Sequence, residues 1–377
     1  MTNLYILTTS DVPNNVILGH ASFAKKAGFS PIFILPDRGN GDKYFDYYKE
    51  YSVIHTRTPF SNKNILTYIF SIISYSVSVY KLLFFKKGVK HVLAVDFEGT
   101  LSSFFLKARG VKIYTLVNDN FAVRYNLNYI SFIIIRFFES LIYKLVSTIT
   151  IFPDKSRVQL LGWIKPNKVV ILPNILKDTI TTRYQGNADD TLIVLVCGLL
   201  VKTRGLDLLK KLLEYTSEKV KFLLVGSGDM TSIDELTCSQ RVTFIGLKTR
   251  EKTLELMSSI DINFAFYNPS TLINRYAMPQ KVYDSLSIGC PIFINSEVKM
   301  ADSLFKSGSA FSAGYWDIVG ISSILNLLVN NKNLLKQVSE RCIAFNEKSI
   351  SYNTVENIGV EMYKNLLKKE RFSKNEN

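Results

Sequence analysis

The sequence predicts an α/β protein with two Rossmann-like, doubly wound domains that face a central cleft. Short β-branched or aromatic runs alternate with longer helical patterns, which is typical of parallel sheets built from strand–helix–strand units. The alternation stops at a polar segment, residues 184–190, and then begins again. With 377 residues, the chain is also longer than one hydrophobic core usually organises.

The predicted elements give two domains and a terminal helix. Residues 1–183 carry predicted strands near Leu4–Thr9, Pro31–Leu35, Val53–Thr56, Val89–Val95, Ile113–Val117, Thr148–Phe152 and Val169–Leu172. Residues 191–352 carry predicted strands near Thr191–Gly198, Lys221–Val225, Val242–Ile245, Ile262–Phe266 and Pro291–Ile294. Residues 184–190 are the predicted linker, and residues 353–377 are expected to form a helix that packs back on the first domain.

The composition excludes several classes of protein. The chain is 47% hydrophobic and 12% aromatic, which excludes a disordered chain. The four cysteines form no CxxC pair and the three histidines have no metal-ligand spacing, so we expect a reduced, intracellular protein without cofactor or metal. The N-terminus has no cationic leader, and the longest uncharged apolar stretch, residues 65–80, is shorter than the ~18–20 residues that span a bilayer. Neither a signal peptide nor a membrane span is predicted.

The positive charge is concentrated in the first half of the chain. The formal net charge is +14. Residues 1–183 hold 23 Lys and Arg against 11 Asp and Glu, whereas the remainder holds 23 against 21. This imbalance suggests that the first half faces something anionic: nucleic acid, a phospholipid surface, or an acidic or diphosphate-linked substrate.

Two glycine-containing loops in the second half follow buried strands. The first places Gly198, Lys202 and Arg204 between a strand and a helix, where backbone N–H groups and two cations can bind a diphosphate. The second places Gly226 and Gly228 at a strand's carboxyl end, where the missing side chains let a ligand approach the backbone. Taken alone, each basic residue is better explained as a solvated charge in a loop than as a diphosphate ligand. The two glycines are explained equally well by a simple turn and by a ligand that approaches the backbone.

The segment Asn274–Asn295 carries the most specific pattern. It predicts a helix that begins after Pro279 and ends at Gly289. Lys281 and Asp284 fall on one face of this helix. A carboxylate there can accept hydrogen bonds from both hydroxyls of a ribose, each worth about 1.5–3 kcal/mol. The alternative is an ordinary surface ion pair between the two side chains, worth ~0–1 kcal/mol.

The order of these motifs resembles that of one enzyme family. Pro173 and Asn174 after a strand, G-x(5)-RG at residues 198–205, a strand ending in VGSG, VTFIG and PQKVYDSLSIGCPIF follow one another along the chain. The chain resembles bacterial glycosyltransferases of the GT-B fold, most closely the family 4 type that assembles capsule, O-antigen and other surface polysaccharides. The resemblance covers essentially the whole chain. It implies an acceptor on the first domain and a nucleotide sugar on the second.

The resemblance also assigns roles to single residues of the second domain. Lys202 and Arg204 match the basic loop that neutralises the nucleotide diphosphate, although Leu199 replaces the arginine usual in the family. Asp284 stands where the family has the glutamate that grips the ribose, and Lys281 matches a lysine that approaches the phosphates or the ribose.

Two further matches concern the base and the donor sugar. Gly246 and Lys248 match the loop that lies against the base. Tyr276 stands where retaining members have the first of two glutamates, near the donor sugar. The resemblance favours retention of the anomeric configuration, whereas Tyr276 argues against it.

On the acceptor side, carboxylates follow the predicted strands of the first domain. Asp96 and Glu98 lie in AVDFEG, and Asp119 lies in LVNDN. A carboxylate there can act as a base on the acceptor hydroxyl or stabilise positive charge at the anomeric carbon. We expect Asp96 or Asp119 in this role, although a capping or turn role fits each residue individually better.

These observations lead to one hypothesis and three alternatives. The hypothesis is a metal-independent glycosyltransferase that moves a sugar from a nucleoside-diphosphate donor, with UDP favoured, to a lipid-linked or cell-surface glycan. The alternatives are a GT-B epimerase that rearranges a nucleotide sugar, a catalytically silent GT-B scaffold, and a basic nucleic-acid-binding protein. An assay of the sugar product without acceptor distinguishes the glycosyltransferase from the epimerase. We expect no nucleic-acid partner.

Two apolar helices with basic flanks lie in the positively charged half, at Asn64–Lys87 and Leu127–Lys144. They can rest on an anionic leaflet and present the cleft to a lipid-diphosphate-linked acceptor, or they can pack on the sheet of the first domain. The first possibility predicts a cytoplasmic protein bound peripherally to the inner face of the bacterial membrane.

Overall fold

The computed structural model describes residues 2–10, 14–38, 48–61, 64–125, 127–177 and 182–375. The chain divides into two compact units. The first unit comprises Met1–Leu176 and Asn353–Asn377, and the second comprises Lys177–Tyr352.

The division between Leu176 and Lys177 differs from the predicted boundary at residue 183, and the predicted linker, residues 184–190, lies within the second unit. Hydrogen bonds explain the difference. The N–H group of Tyr184 donates to the carbonyl oxygen of Ile288 at 2.9 Å, and that of Gln185 donates to Ser258 at 2.8 Å. These bonds fix the start of the linker on two helices of the second unit.

The first unit is built on a seven-stranded parallel sheet. Its strands are β1 (Thr2–Leu7), β2 (Phe29–Asp37), β3 (Ser52–Pro59), β4 (His91–Val95), β5 (Lys112–Leu116), β6 (Ile149–Phe152) and β7 (Val169–Ile171). They lie in the order β3-β2-β1-β4-β5-β6-β7, with Leu4 of β1 opposite Pro31 on one side and His91 on the other. The chain therefore winds outward in both directions from β1, as in a doubly wound sheet.

Helices cover this sheet, and asparagine side chains cap three of them. The helices are α1 (Asn15–Lys26), α2 (Ile65–Leu83), α3 (Asp96–Ser102), α4 (Phe104–Ala108), α5 (Tyr129–Val146) and α6 (Lys155–Gln159). Asn14, Asn64 and Asn128 accept N–H groups from the first turns of α1, α2 and α5.

The pattern over residues 101–108 predicts one helix, but the structure has α3 and α4 there. Ser103 separates them, and its hydroxyl donates to the carbonyl oxygen of Thr100 at 2.7 Å. This local bond competes with the regular helical pattern.

The core of the first unit includes one face of α2. Tyr75, Val79 and Leu83 of this helix pack with Val92 and Ala94 of β4 in a single buried cluster. Full burial of such a side chain contributes about 1.5–3 kcal/mol. Packing, rather than helix propensity, therefore places α2 on the sheet.

The second unit has a six-stranded parallel sheet. Its strands are β8 (Leu192–Leu200), β9 (Val220–Gly228), β10 (Val242–Phe244), β11 (Ile262–Ala265), β12 (Ile292–Asn295) and β13 (Ala310–Ala313), in the order β10-β9-β8-β11-β12-β13. The sequence predicts all but β13, whose four residues AFSA lack the apolar run of the other strands. The winding again reverses at one place, between β8 and β11.

The helices of the second unit complete its layers. They are α7 (Leu206–Tyr215), α8 (Met230–Thr237), α9 (Arg250–Ser259), α10 (Leu272–Arg275), α11 (Gln280–Ile288), α12 (Lys299–Lys306), α13 (Ile318–Val329) and α14 (Lys332–Phe345). The predicted start of α11 after Pro279 and its end at Gly289, with φ of 86°, match the structure.

The last helix, α15 (Tyr352–Asn375), packs on the first unit. Its Tyr363 hydroxyl lies 3.1 Å from Nδ1 of the buried His20. Close packing requires Gly359, because a Cβ there would lie 2.6 Å from the ring of Phe23 on α1.

Candidate functional site

A cavity of about 350 Å³ opens at the carboxyl edge of the first sheet. It lies where β1 and β4 meet, and such reversals of strand order are the usual ligand sites of open α/β sheets. The residues that line it are Thr8, Thr9, Ser10, Asn14, Ile17, Arg38, Tyr68, Val95, Asp96, Glu98, Asn118, Asp119, Arg124 and Tyr125. The structure thus brings together Asp96, Glu98 and Asp119, the three carboxylates predicted from sequence.

Asp96 is held in this cavity through both of its carboxylate oxygens. It directly follows β4. Among the described non-glycine residues, Asp96 alone has a positive φ, of 57°. Residues in this left-handed region are uncommon and cluster at functional sites. Oδ1 accepts the N–H of Asn118 at 2.7 Å, and Oδ2 lies 2.7 Å from Nη2 of Arg124.

Arg124 connects Asp96 to Glu98. Its Nη1 donates to Oε1 of Glu98 at 2.7 Å, and the Tyr68 hydroxyl donates to the same oxygen. One guanidinium therefore balances two carboxylates, and charge-assisted bonds of this kind are among the strongest in proteins. The sequence-based prediction missed Arg124, because nothing in the local pattern FAVRY indicates a contact with Asp96 and Glu98, which lie 26 or more positions earlier.

Asp119 has a different partner. Its Oδ1 lies 2.9 Å from Nη1 of Arg157, a buried residue of α6, while the Asp119 side chain itself is 42% exposed. The neighbouring Asn120 is buried, and neither polar atom of its amide has a hydrogen-bond partner in the described residues. The carboxyl edge of the sheet therefore has both charged and neutral polar groups.

The environment of Asp96 changes its acidity. Burial raises the pKa of Asp96 to about 6, and the charges of Glu98 and Asp119 add to the rise, while Arg124 and the N–H of Asn118 oppose it. Burial disfavours the Arg124 cation, but the carboxylates of Asp96 and Glu98 hold the Arg124 pKa above its usual value. Asp96 can thus be ionised at neutral pH and still accept a proton readily.

The predicted diphosphate loop of the second unit lies between β8 and α7. Lys202–Arg204 form one turn of 3-10 helix, and Gly205, with φ of 85°, is the N-cap residue of α7. A Cβ at Gly205 would lie 3.0 Å from the ring of Phe264 and 3.1 Å from Cβ of Phe266. Glycine therefore lets the N-terminus of α7 approach β11 closely.

Arg204 and Lys281 converge on the ring of Tyr267. The guanidinium carbon of Arg204 lies 5.6 Å, and Nζ of Lys281 lies 5.7 Å, from the ring centre. Tyr267 comes two residues after the end of β11, at the reversal of strand order in the second sheet. Its hydroxyl is buried without a hydrogen-bond partner in the described part of the chain. Sequence reasoning missed Tyr267, although an aromatic residue at a strand end was the available signal.

Asp284, the predicted ribose ligand, is buried and bound to protein donors. Its Oδ1 lies 2.7 Å from Nη2 and 3.2 Å from Nε of Arg250, and Nε2 of Gln280 donates to it at 3.1 Å. Arg250 also donates to the carbonyl oxygen of Lys177 at 2.7 Å. The ion pair considered between Asp284 and Lys281 is replaced by this pair with Arg250, another residue that the sequence-based prediction missed.

The glycines predicted to face a ligand have structural reasons of their own. A Cβ at Gly226 would lie 1.9 Å from the carbonyl oxygen of Gly198, and one at Gly228 would lie 2.0 Å from that of Leu200. Both belong to β9 rather than to a turn, so glycine there lets β8 and β9 pair along their whole length.

The remaining predicted residues of the second unit are Gly246, Lys248 and Tyr276. Gly246 has φ of 71° and accepts the N–H of Gly226 at 3.0 Å. Lys248 is exposed, and Tyr276, at the end of α10, is half-buried. For Gly246, Lys248 and Tyr276, a role toward base or sugar stays a prediction.

Two helices of the first unit have apolar residues on their exposed sides. On α2 these include Leu66, Ile69, Phe70, Ile73 and Val77, and on α5 they include Tyr129, Ile130, Ile133, Ile134, Phe137 and Phe138. Both helices pack against α3. Among the described helices, α2 is also long and apolar enough over Leu66–Leu83 to cross a membrane by length and composition, a test that buried core helices pass as well.

In the described part of the chain, no group of three or more His, Cys, Asp or Glu residues is arranged to hold a metal ion.

Comparison with known proteins shows the fold. No family model matches the chain, and no curated protein matches its sequence. Sucrose-phosphate synthase (tll1590) from Thermosynechococcus elongatus is similar in structure with a TM-score of 0.77 and 11% identity, over 98% of this chain and 100% of that one. Anabaena Alr3699/HepE in complex with UDP and glucose has a TM-score of 0.72 and 10% identity, over 96% and 99%. WaaG, a glycosyltransferase involved in lipopolysaccharide biosynthesis, is similar with a TM-score of 0.70 and 12% identity, over 94% of this chain and 98% of that one. The predicted GT-B fold is thereby confirmed.

Proposed function

We propose that the protein is a glycosyltransferase that takes a sugar from a nucleoside-diphosphate donor and transfers it to a lipid-linked or cell-surface glycan. The observation that carries the proposal is the convergence of Arg204 and Lys281 beside the N-terminus of α7. Fixed cations and helix N–H groups together favour a diphosphate. We assign the donor to the second unit and the acceptor to the cavity of the first.

The proposed chemistry needs a stabilised leaving group. When the bond between the anomeric carbon and the diphosphate breaks, negative charge grows on the phosphate oxygens. Arg204, Lys281 and the exposed Lys202 are the cations we assign to this charge, so the reaction is proposed to proceed without a metal ion. Asp284 remains our candidate for the ribose, with Arg250 fixing its carboxylate.

A UDP-sugar is the first donor to test. Solved structures of HepE contain UDP, UDP with glucose, and UDP-glucose, and this chain shares the fold of that protein. The fold shared with WaaG and with the galactosyltransferase WaaB supports a role in surface polysaccharides such as lipopolysaccharide, O-antigen or capsule.

We further propose that the first unit rests on the inner face of the bacterial cytoplasmic membrane, where a lipid-diphosphate-linked acceptor is found. The support is the exposed apolar side of α2 and α5 in a half of the chain with excess positive charge. Exposed lysines, among them Lys86, Lys87 and Lys144, border these helices. Apolar side chains flanked by cations are what an anionic leaflet binds.

The fate of the donor tests the proposed activity. Wild-type protein is incubated with UDP-glucose, UDP-galactose, UDP-N-acetylglucosamine and GDP-mannose in the presence of EDTA, and the products are separated by chromatography. We expect release of one nucleoside diphosphate, faster when a membrane extract supplies acceptors. Conversion of a donor into another nucleotide sugar without acceptor would instead establish an epimerase. If every donor is unchanged with and without the extract, the proposal is wrong.

A further inference from the structure

The backbone of the Lys202–Arg204 turn is held by side chains from distant parts of the second unit. The carbonyl oxygen of Thr203 accepts a hydrogen bond from Nδ2 of Asn274 at 3.1 Å. The carbonyl oxygen of Lys202 lies 3.2 Å from the hydroxyl of Tyr315. The turn that carries the two predicted diphosphate ligands is therefore fixed by the folded protein itself.

Tyr315 also reaches the helix that follows this turn. It comes two residues after the end of β13, and its side chain is fully buried. Its hydroxyl donates to Oδ1 of Asp207, the second residue of α7, at 2.6 Å. One hydroxyl group thus ties the cationic turn to the N-terminus of α7, and these are the two parts of the proposed diphosphate site.

A chain of hydrogen bonds connects the backbone of Tyr315 to Tyr267. Glu297 accepts the N–H of Tyr315 with both carboxylate oxygens, at 3.0 and 3.2 Å. Nδ2 of Asn295 donates to Glu297 at 2.8 Å and to the carbonyl oxygen of Tyr267 at 3.1 Å, and Oδ1 of Asn295 accepts the N–H of Tyr267 at 2.8 Å. The same network therefore holds the tyrosine ring on which the two cations converge.

We propose that Tyr315 is a positioning residue for diphosphate binding, an inference that rests on the proposed function. Its hydroxyl holds the carbonyl oxygen of Lys202 and the carboxylate of Asp207 together, so it fixes the cationic turn against the first N–H groups of α7. A site whose donors are already in place loses less conformational freedom when the ligand binds. Tyr315 acts through the turn and needs no contact with the ligand.

The charge of Asp207, by itself, would act in the opposite direction. A carboxylate in the first turn of α7 stabilises the helix, but it repels a diphosphate at the same N-terminus. If charge were its main effect, removal of the carboxylate would strengthen diphosphate binding. If Asp207 instead anchors Tyr315, its removal weakens that binding. The two roles therefore predict changes of opposite sign.

The test compares a nucleoside diphosphate with the nucleoside that lacks its phosphates. The probes are UDP, GDP and ADP, measured by calorimetry without metal, and uridine, guanosine and adenosine, measured by saturation-transfer NMR. The variants are Tyr315→Phe, Asp207→Ala, the combination of these two, and Asp207→Asn, which keeps an acceptor for the hydroxyl. Tyr215→Phe, at an exposed tyrosine at the other end of α7, is the matched control.

Tyr315→Phe and Asp207→Ala should each weaken binding of the nucleoside diphosphate about fivefold or more, and change the affinity for the nucleoside less than about twofold. The combined variant should lose little more than either single variant, because both substitutions remove the same hydrogen bond. Asp207→Asn should bind the diphosphate at least as tightly as the wild type, and Tyr215→Phe should bind it equally.

Unchanged diphosphate affinity in Tyr315→Phe would overturn the inference. An equal loss of nucleoside and diphosphate affinity would overturn it as well, because that is the result of a merely structural role. Tighter diphosphate binding by Asp207→Ala would show that the charge of Asp207 matters rather than its hydrogen bond to Tyr315. A wild type that binds none of UDP, GDP or ADP would instead overturn the proposed function, and this inference with it.

Discussion

The guanidinium of Arg250 lies against the carboxylate of Asp284, with Nη2 and Nε at 2.7 and 3.2 Å from the same oxygen. Both side chains are largely buried, at 17% and 10% exposure. The pair joins the start of α9 to the first turns of α11. The residue expected to bind a ribose is thus already oriented by the protein, which reduces the entropy that a ligand must overcome.

Removing one member of this pair should destabilise the second unit. Arg250→Ala should lower the free energy of unfolding by about 1.5–3 kcal/mol, because it removes the charge-assisted hydrogen bonds that Arg250 donates to the buried carboxylate of Asp284. Urea denaturation measures the change. Combining it with Asp284→Asn should recover part of the loss, whereas strictly additive effects would show that the two residues do not interact.

Tyr267 should matter for nucleotide binding through its ring. Tyr267→Leu removes the surface on which Arg204 and Lys281 converge, and it should weaken UDP binding about fivefold or more, as expected for cation–π contacts of ~0.5–2 kcal/mol. Tyr267→Phe keeps the ring and is the matched control. If calorimetry finds that Tyr267→Phe and Tyr267→Leu weaken UDP binding equally, the ring does not position the cations.

The stability of the first unit should fall in mild acid because of His20. Burial lowers the pKa of His20 to about 4, from 6.5, so below pH 6.5 the unfolded chain binds a proton that the folded protein does not. Stability is therefore lost as the pH falls from about 6.5 to about 4, up to roughly 3 kcal/mol for a shift of this size.

His20→Asn removes this titration and keeps a polar atom near the Tyr363 hydroxyl. Between pH 7 and pH 5, the variant should lose about 2 kcal/mol less of its unfolding free energy than the wild type. Parallel pH profiles in chemical denaturation would contradict a neutral, buried His20.

Binding to membranes should depend on the exposed apolar side of α2 and α5. The combined variant Leu66→Ser, Phe70→Ser, Ile130→Ser and Phe137→Ser should bind vesicles containing phosphatidylglycerol at least tenfold more weakly, because each side chain buries apolar area worth about 25 cal/mol per Å². Vesicle flotation measures the effect. Val319→Ser with Leu327→Ser, exposed residues of the second unit, is the control, and equal binding by all three proteins would refute the proposed surface.

The sequence predicted most of the fold because it depends on periodicity. Apolar runs and helical patterns predict all strands but β13, and their alternation predicts two doubly wound parallel sheets. The same reasoning brought Asp96, Glu98 and Asp119 together, since the carboxyl ends of parallel strands meet at one edge. The division at Leu176 differs from the predicted boundary, because the hydrogen bonds of Tyr184 and Gln185 to distant residues hold the predicted linker on the second unit.

What the sequence could not predict are the partners of these residues. Arg124, Arg250 and Tyr267 act through contacts that only the folded chain creates, and no local pattern distinguishes them from other basic or aromatic residues. Gly226 and Gly228 have a structural role that their motif does not predict, because a Cβ at Gly226 would lie 1.9 Å, and one at Gly228 2.0 Å, from a carbonyl oxygen of β8. Their role toward a ligand stays a prediction.

The central claim, that the second unit binds a nucleoside diphosphate, is tested most directly by calorimetry of UDP, GDP, ADP and CMP without metal. The proteins are the wild type, Asp284→Asn, which keeps an acceptor for Arg250, Asp284→Ala, and Asp302→Ala as an exposed control. We predict that one nucleotide binds the wild type and the control equally, and both Asp284 variants at least tenfold more weakly, a loss of about 1.4 kcal/mol. Absence of binding to the wild type at millimolar concentration would contradict the account.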